Sequence, residues 1–170
     1  MLIVFRGMPG TGKTWLARKL LEQRPDLIIL SRDSLRRGML TRPTFSEEEK
    51  TLLDDLIIAM TGFLLDRKKS VLIDGMALSS AQRLREFASV AVSRHAAIRV
   101  IECVCSEATA LERISRDQGN HPAGDRGPDL YYAVRRRFEP ADMPFLRIDT
   151  DGDAQDNLTA ILGYVENPPV

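Results

Sequence analysis

GMPGTGKT, residues 7–14, places three glycines, a lysine and a hydroxyl residue between an apolar run, LIVFR (2–6), and a helical pattern, KTWLARKLL (13–21). It satisfies G-x-x-x-x-G-K-[ST] at every fixed position and stands where that pattern has meaning, after a strand and before a helix. Gly7, Gly10 and Gly12 let the backbone turn until successive N–H groups point at one anion. The helix that follows adds its positive N-terminal end. Gly7, Met8, Pro9, Gly10, Thr11, Gly12, Lys13 and Thr14 are therefore read as a cradle for nucleotide phosphates. Lys13 supplies a charge to the β- and γ-phosphates, and the Thr14 hydroxyl can ligate Mg²⁺. Trp15, next in line, is read as a core anchor for the helix rather than a base-stacking platform.

Outward from this loop, short apolar runs alternate with longer helical patterns. LIVFR (2–6), DLIIL (26–30), SVLID (70–74), AIRVIECVC (97–105) and PFLRID (144–149) are the strand candidates. Their two-sided hydrophobicity suits strands buried in a parallel sheet. Helical spacing links Leu16, Leu20 and Leu21, then Leu53, Ile57, Met60 and Leu64 behind a capping box of Ser46 and Glu49. It returns in Leu84, Phe87, Ala88 and Ala91, and in Leu158, Ile161, Leu162 and Val165. Strand–helix alternation with crossover-length connections predicts one α/β domain over 1–170, a doubly wound five-stranded parallel sheet with helices on both faces. Ligands of such a sheet bind at the carboxyl ends of its strands. The stretch DQGNHPAGDRGPD (117–129), rich in glycine, proline and polar residues, is read as a loop between helices and a candidate lid.

Bulk properties exclude several function classes. The 24 basic and 24 acidic side chains of the 170 residues cancel, so no overall field draws the chain to nucleic acid or membrane. Four apolar residues between Met1 and Arg6 are too few for a signal or membrane helix, which makes the cytoplasm the expected compartment. Nothing signals an obligate protein partner. Cys103 and Cys105 are too close along one strand for a disulfide and lack further metal ligands, so they are read as core residues. DTDGD (149–153) fails the calcium-loop register, and Asp153 reads better as the cap of the last helix. RRR (135–137) reads as the cationic end of a helix that Pro128 can start and Pro140 stops.

The class of phosphate-loop protein is narrowed by what the sequence omits. No Asn is followed by Lys, so the guanine-reading N-K-x-D is missing. VLID ends in Asp74 followed by Gly75, without the adjacent Asp-Glu that polarises water in ATPases. Poor provision for water leaves transfer of the γ-phosphate to a bound hydroxyl. SRDSLRR (31–37) then acquires a role: if DLIIL is the second strand, Asp33 falls just past its carboxyl end, beside the phosphate loop. A carboxylate there can orient an acceptor hydroxyl and take its proton. Arg36, one helical turn on, can grip an anionic group of the acceptor. A helix-start carboxylate favourable to the dipole is the alternative for Asp33.

GMPGTGKTWLA, SRDSLRR, VLIDG and ERISRD, in this order, resemble the P-loop kinases related to 5′-hydroxyl polynucleotide kinases, over Leu2 to about Val165. The resemblance implies a P-loop NTPase fold, ATP and Mg²⁺ as cofactors, Asp33 as general base and Arg36 as an acceptor-phosphate contact. It also implies that Asp74 helps hold the acceptor or a metal-bound water. Arginines on the helix entering the lid would face the transferring phosphoryl. Here Arg113 and Arg116 are three apart rather than four, and Arg126 lies further on. Arg116 is ranked first for the phosphoryl and Arg126 second, with Arg113 nearer the adenine or α-phosphate. The expected activity is ATP-dependent phosphorylation of a polynucleotide 5′-hydroxyl. A small metabolite or antibiotic acceptor is the alternative, and a non-catalytic nucleotide-binding module is a third reading.

Overall fold

Runs that are apolar on both sides have somewhere to go only between two layers of helix, and the computed structural model places them there; it describes residues 1–117 and 127–167. The elements are β1 (Leu2–Arg6), α1 (Lys13–Gln23), β2 (Leu27–Ser31), α2 (Arg32–Met39), α3 (Glu47–Asp66) and β3 (Ser70–Asp74). They continue with α4 (Ala81–Val92), β4 (Ile98–Val104), α5 (Glu107–Arg116), α6 (Pro128–Arg136), β5 (Leu146–Asp149) and α7 (Ala154–Glu166). The five strands form one sheet in the order β2-β3-β1-β4-β5, all parallel. Alternation along β1 divides the core: Leu2 and Val4 join Ile57, Leu84 and Phe87 on one face, whereas Ile3 and Phe5 join Leu16, Leu20, Leu158 and Ile161 on the other.

Helix starts follow local chemistry. Ser31, Ser46, Ser80, Ser106 and Asp153 each accept a backbone N–H from the first turn of the helix they precede. Pro128 opens α6 at its first turn, and Arg135 and Arg136 close it. The capping box at α3 is half formed. Ser46 Oγ accepts from Glu49 N at 3.2 Å, but the Glu49 carboxylate turns to Arg36, Thr44 and Phe45 instead of to Ser46 N.

Two strands are shorter than the apolar runs: β4 ends at Val104 and β5 begins at Leu146. Cys105 therefore lies past the strand end, partly buried against the α5–α6 cluster, while Cys103 sits in the sheet core. Burial pushes the Cys103 thiol up to about 12, which keeps it protonated and inert. The greater part of the expected lid, together with Arg126, lies outside the described residues.

Candidate active site

The phosphate loop forms the floor of the site. Gly7 (φ 143°) and Gly10 (φ 82°) adopt backbone geometry that side chains rarely tolerate. A Cβ on Gly7 would lie 2.2 Å from the Cys103 carbonyl oxygen, and one on Gly10 would lie 2.4 Å from that of Ala110. The loop is thus pressed against the end of β4 and the first turns of α5, which only glycine allows. Lys13 Nζ reaches back inside the loop, donating to Gly7 O at 2.8 Å and Met8 O at 2.6 Å. Thr14 Oγ1 donates to Asp74 Oδ1 at 3.2 Å, joining the start of α1 to the end of β3. Asp74 is buried, and burial raises its pKa against the opposing pull of the Gly75 N–H, Lys13 and Thr14. This hydroxyl–carboxylate pair is the sparse oxygen set that suits a Mg²⁺ completed by phosphate and water. A denser ligand cluster, three or more His, Cys, Asp or Glu, is not found among the described residues.

The second strand brings Asp33 to the same place. Ser31 pairs with Asp74 across the β2–β3 ladder, and α2 begins at the next residue. Gly75 (φ 76°) leaves room for this junction, since a Cβ there would lie 2.7 Å from Ser31 Oγ and 3.3 Å from Asp33 N. Asp33 is half-buried and accepts from Arg36 Nη1 at 3.0 Å. Arg36 is itself only 3% exposed, with Nε donating to Glu49 Oε1 at 2.5 Å and the Phe45 ring 4.9 Å from its guanidinium carbon. Glu49 also accepts from the N–H groups of Thr44 and Phe45. Burial alone would raise the pKa of Glu49; the hydrogen bonds from Arg36, Thr44 and Phe45 outweigh it and hold the carboxyl at about 2. Asp33, Arg36 and Glu49 thus form one chain from α2 to α3, in which Nη2 is the Arg36 nitrogen not engaged by either carboxylate.

Asp33 and Arg36 share one cleft of about 1460 Å³ with Gly10, Gly12, Lys13, Thr14, Asp74, Arg113 and Arg116, and Glu49 is buried behind them. Arg113 donates to Thr150 Oγ1 and Thr150 O, both at 2.9 Å, and Nη1 reaches Gly10 O at 3.4 Å, so it braces the back of the loop against the end of β5. Arg116, one turn on, is exposed on the cleft wall. Trp15 is not a core anchor: it is half exposed and lines the cleft, because its position on α1 is opposite to that of the buried Leu16, Ala17 and Leu20. Sequence reading missed Glu49 as a site residue. Its capping-box spacing to Ser46 gave a complete local explanation, and only the fold brings Arg36, thirteen positions earlier, to its carboxylate. Thr150 and Arg83 also line the cleft without a sequence signal for it, and so does Arg137, which the sequence offered only as part of the cationic end of α6.

A search of curated protein sequences returns no match. Among solved structures, a putative kinase from Chloroflexus aurantiacus is similar over 99% of this chain and 98% of its own, with TM-score 0.76 and 24% identity. Chaetomium thermophilum Kti12, solved with ADP-AlF3, covers 95% of this chain and 97% of its own, with TM-score 0.74 and 20% identity. The Mycobacterium tuberculosis APS kinase CysC, solved with AMPPNP and APS, covers 98% and 97%, with TM-score 0.68 and 19% identity. The α/β fold described above is the P-loop NTPase fold, and it matches these solved structures. The family model described as AAA domain matches residues 2–129, from β1 through the loop and Asp33 to the start of α6, and the chain belongs to that family.

Proposed function

We propose that the chain is an ATP- and Mg²⁺-dependent phosphotransferase that moves the γ-phosphate of ATP to an acceptor hydroxyl, with polynucleotide 5′-ends as the leading acceptor class. The observation that carries the reading is Asp33: a half-buried carboxylate at the end of β2, in the same cleft as the phosphate loop, held from behind by Arg36. In the proposed mechanism the acceptor hydroxyl rests against Asp33, which takes its proton as the oxygen bonds to the γ-phosphorus. The bond to the oxygen bridging the β- and γ-phosphorus then breaks, and ADP leaves. Lys13 turns from the loop carbonyls to the β- and γ-phosphates, and Arg116, with Arg126 as its alternative, neutralises the moving phosphoryl. Arg113 supports the loop near the α-phosphate. Thr14 and Asp74 hold the Mg²⁺, which supplies charge neutralisation when bound. Arg36 offers Nη2 to an anionic group of the acceptor.

A small-molecule acceptor is the second reading. It is favoured by the names of several similar structures, among them an APS kinase, a gluconokinase and a shikimate kinase. The test is transfer of labelled γ-phosphate from ATP to a short 5′-hydroxyl oligonucleotide and, in parallel, to a panel of small hydroxylated acids and sugars. Asp33→Asn is expected to lower transfer by roughly 10²- to 10⁴-fold with ATP binding intact. Parent-like turnover in that variant would remove Asp33 from the mechanism. Transfer to the panel and not to the oligonucleotide would decide for the small acceptor.

A further inference from the structure

The longest helix has a second apolar side that the core does not use. Leu53, Ile57, Thr61 and Leu65 of α3 are buried, while Glu47, Lys50, Thr51 and Asp54 line the cleft. Leu52, Leu56, Ala59 and Phe63 form a third row. Leu52 is 61% exposed and Phe63 is 55%, Ala59 is exposed and Leu56 half-buried. Single exposed apolar side chains are ordinary, but four at spacings of four, three and four form the seam by which one helix packs on another. At 1.5 Å per residue the seam runs for about 16 Å. The cleft-lining positions lie about half a helical turn away around α3, so the seam belongs to a different surface.

We infer that this seam joins two copies of the chain through antiparallel packing of α3 on α3. Charge chooses the occupant and the direction. The seam is preceded on its own side of α3 by the exposed Glu48 and followed by the exposed Arg67, Lys68 and Lys69, while the exposed Asp66 between them is engaged by Arg94. The Arg67 guanidinium lies 3.5 Å from the centroid of the Phe63 ring and so stands on the seam itself. A two-fold axis through the middle of the seam, between Ile57 and Ile58, sets Leu52 against Phe63 of the second copy and Leu56 against Ala59. The same axis brings the acidic end of each α3 to the basic end of the other, whereas parallel packing would set acid on acid and base on base. A surface whose own two ends are complementary under a two-fold fits a second copy of itself. The patch is small for a permanent interface, so the association is expected in the micromolar range.

The experiment is sedimentation equilibrium of the full chain at roughly 5 to 500 μM, a range chosen for a small interface. The average mass is expected to rise from 19.1 kDa towards twice that value. Leu56→Glu sets carboxylates into the middle of the seam and is expected to stay monomeric at every concentration. Phe63→Glu, at a more exposed position of the seam, is the second variant should Leu56→Glu unfold, and its transfer activity is expected to equal the parent's. Direction is read by oxidative cross-linking of Leu52→Cys protomers mixed with Phe63→Cys protomers, where the mixture is expected to link more than either variant alone. A parent that stays monomeric throughout, glutamate variants that associate as the parent does, or cross-linking confined to like protomers would overturn the proposal.

Discussion

At the scale of single residues, the acceptor side of the cleft depends on a carboxylate that touches no substrate in the proposed mechanism. Glu49 holds Arg36 Nε, and Arg36 holds Asp33, so the orientation of Asp33 is fixed two steps away on another helix. Glu49→Gln keeps the shape but removes the charge that fixes Arg36. Its kcat is expected to fall about 10- to 100-fold, the cost of a small misplacement of a reacting group, with ATP affinity unchanged. The same variant has a pH signature. With its carboxyl held at about 2 instead of the ordinary 4.5, Glu49 stabilises the fold fully above pH 4.5, and that stabilisation is lost as pH falls towards 2. Melting temperature plotted against pH is therefore expected to fall less steeply below pH 4.5 in Glu49→Gln than in the parent. Equal slopes in the two proteins would show that Glu49 carries no such linkage. The misreadings of Glu49 and Trp15 share a cause: a residue type with a sufficient local explanation conceals a partner, or an exposure, that only the fold determines.

At the scale of elements, Gly10 and Gly163 show the difference between a glycine that shapes the site and one that only occupies a helix. Gly10 has φ 82° and no room for a Cβ beside Ala110 O. Gly10→Ala is expected to cost about 1–3 kcal/mol in backbone strain and to weaken ATP binding, because the loop must lift from α5. Gly163 sits within α7, where a Cβ would meet nothing within 4 Å. Gly163→Ala is expected to stabilise by about 0.5–1 kcal/mol through better helix propensity, leaving nucleotide binding alone. Chemical denaturation of both variants, with an ATP titration of each, checks the pair; equal effects of either sign would contradict the division. Elements were readable where both faces of a run are buried: LIVFR and SVLID are β1 and β3 to the residue, since each lies inside the sheet. The edges were not. PFLRID lost its first two residues because β5 is an outer strand whose pattern is half exposed, and Phe145 turns to solvent. Strand order was equally illegible, because apolar composition tells a strand that it is buried and not which neighbour it has.

At the scale of the whole molecule, the loop adds a second set of ties, at the carboxyl ends of the strands, to elements already joined in the sheet. β1 leads into it, β4 and α5 press on it, Arg113 links it to the end of β5, and Thr14 joins it to β3. A ligand seated there bridges the centre of the sheet and both of its flanking parts, so its binding energy appears as stability of the entire domain. At ATP concentrations a hundred times the dissociation constant, that linkage amounts to about 2.7 kcal/mol. For a chain of 170 residues this corresponds to a rise in Tm of roughly 5–11 °C. Lys13→Ala is expected to lose most of the rise, since the backbone N–H groups of the loop remain but the charge on the β- and γ-phosphates is gone. Thr14→Val is expected to lose only the part that a chelator removes from the parent, the part due to Mg²⁺ held at the Thr14–Asp74 pair. The three proteins melted with ATP, with ATP and Mg²⁺, and with ATP and chelator separate the two contributions. A parent whose Tm ignores saturating ATP would sink the nucleotide reading at its root, whatever the acceptor. A Thr14→Val protein that responds to Mg²⁺ as the parent does would move the metal away from the pair and leave the rest of the site as proposed.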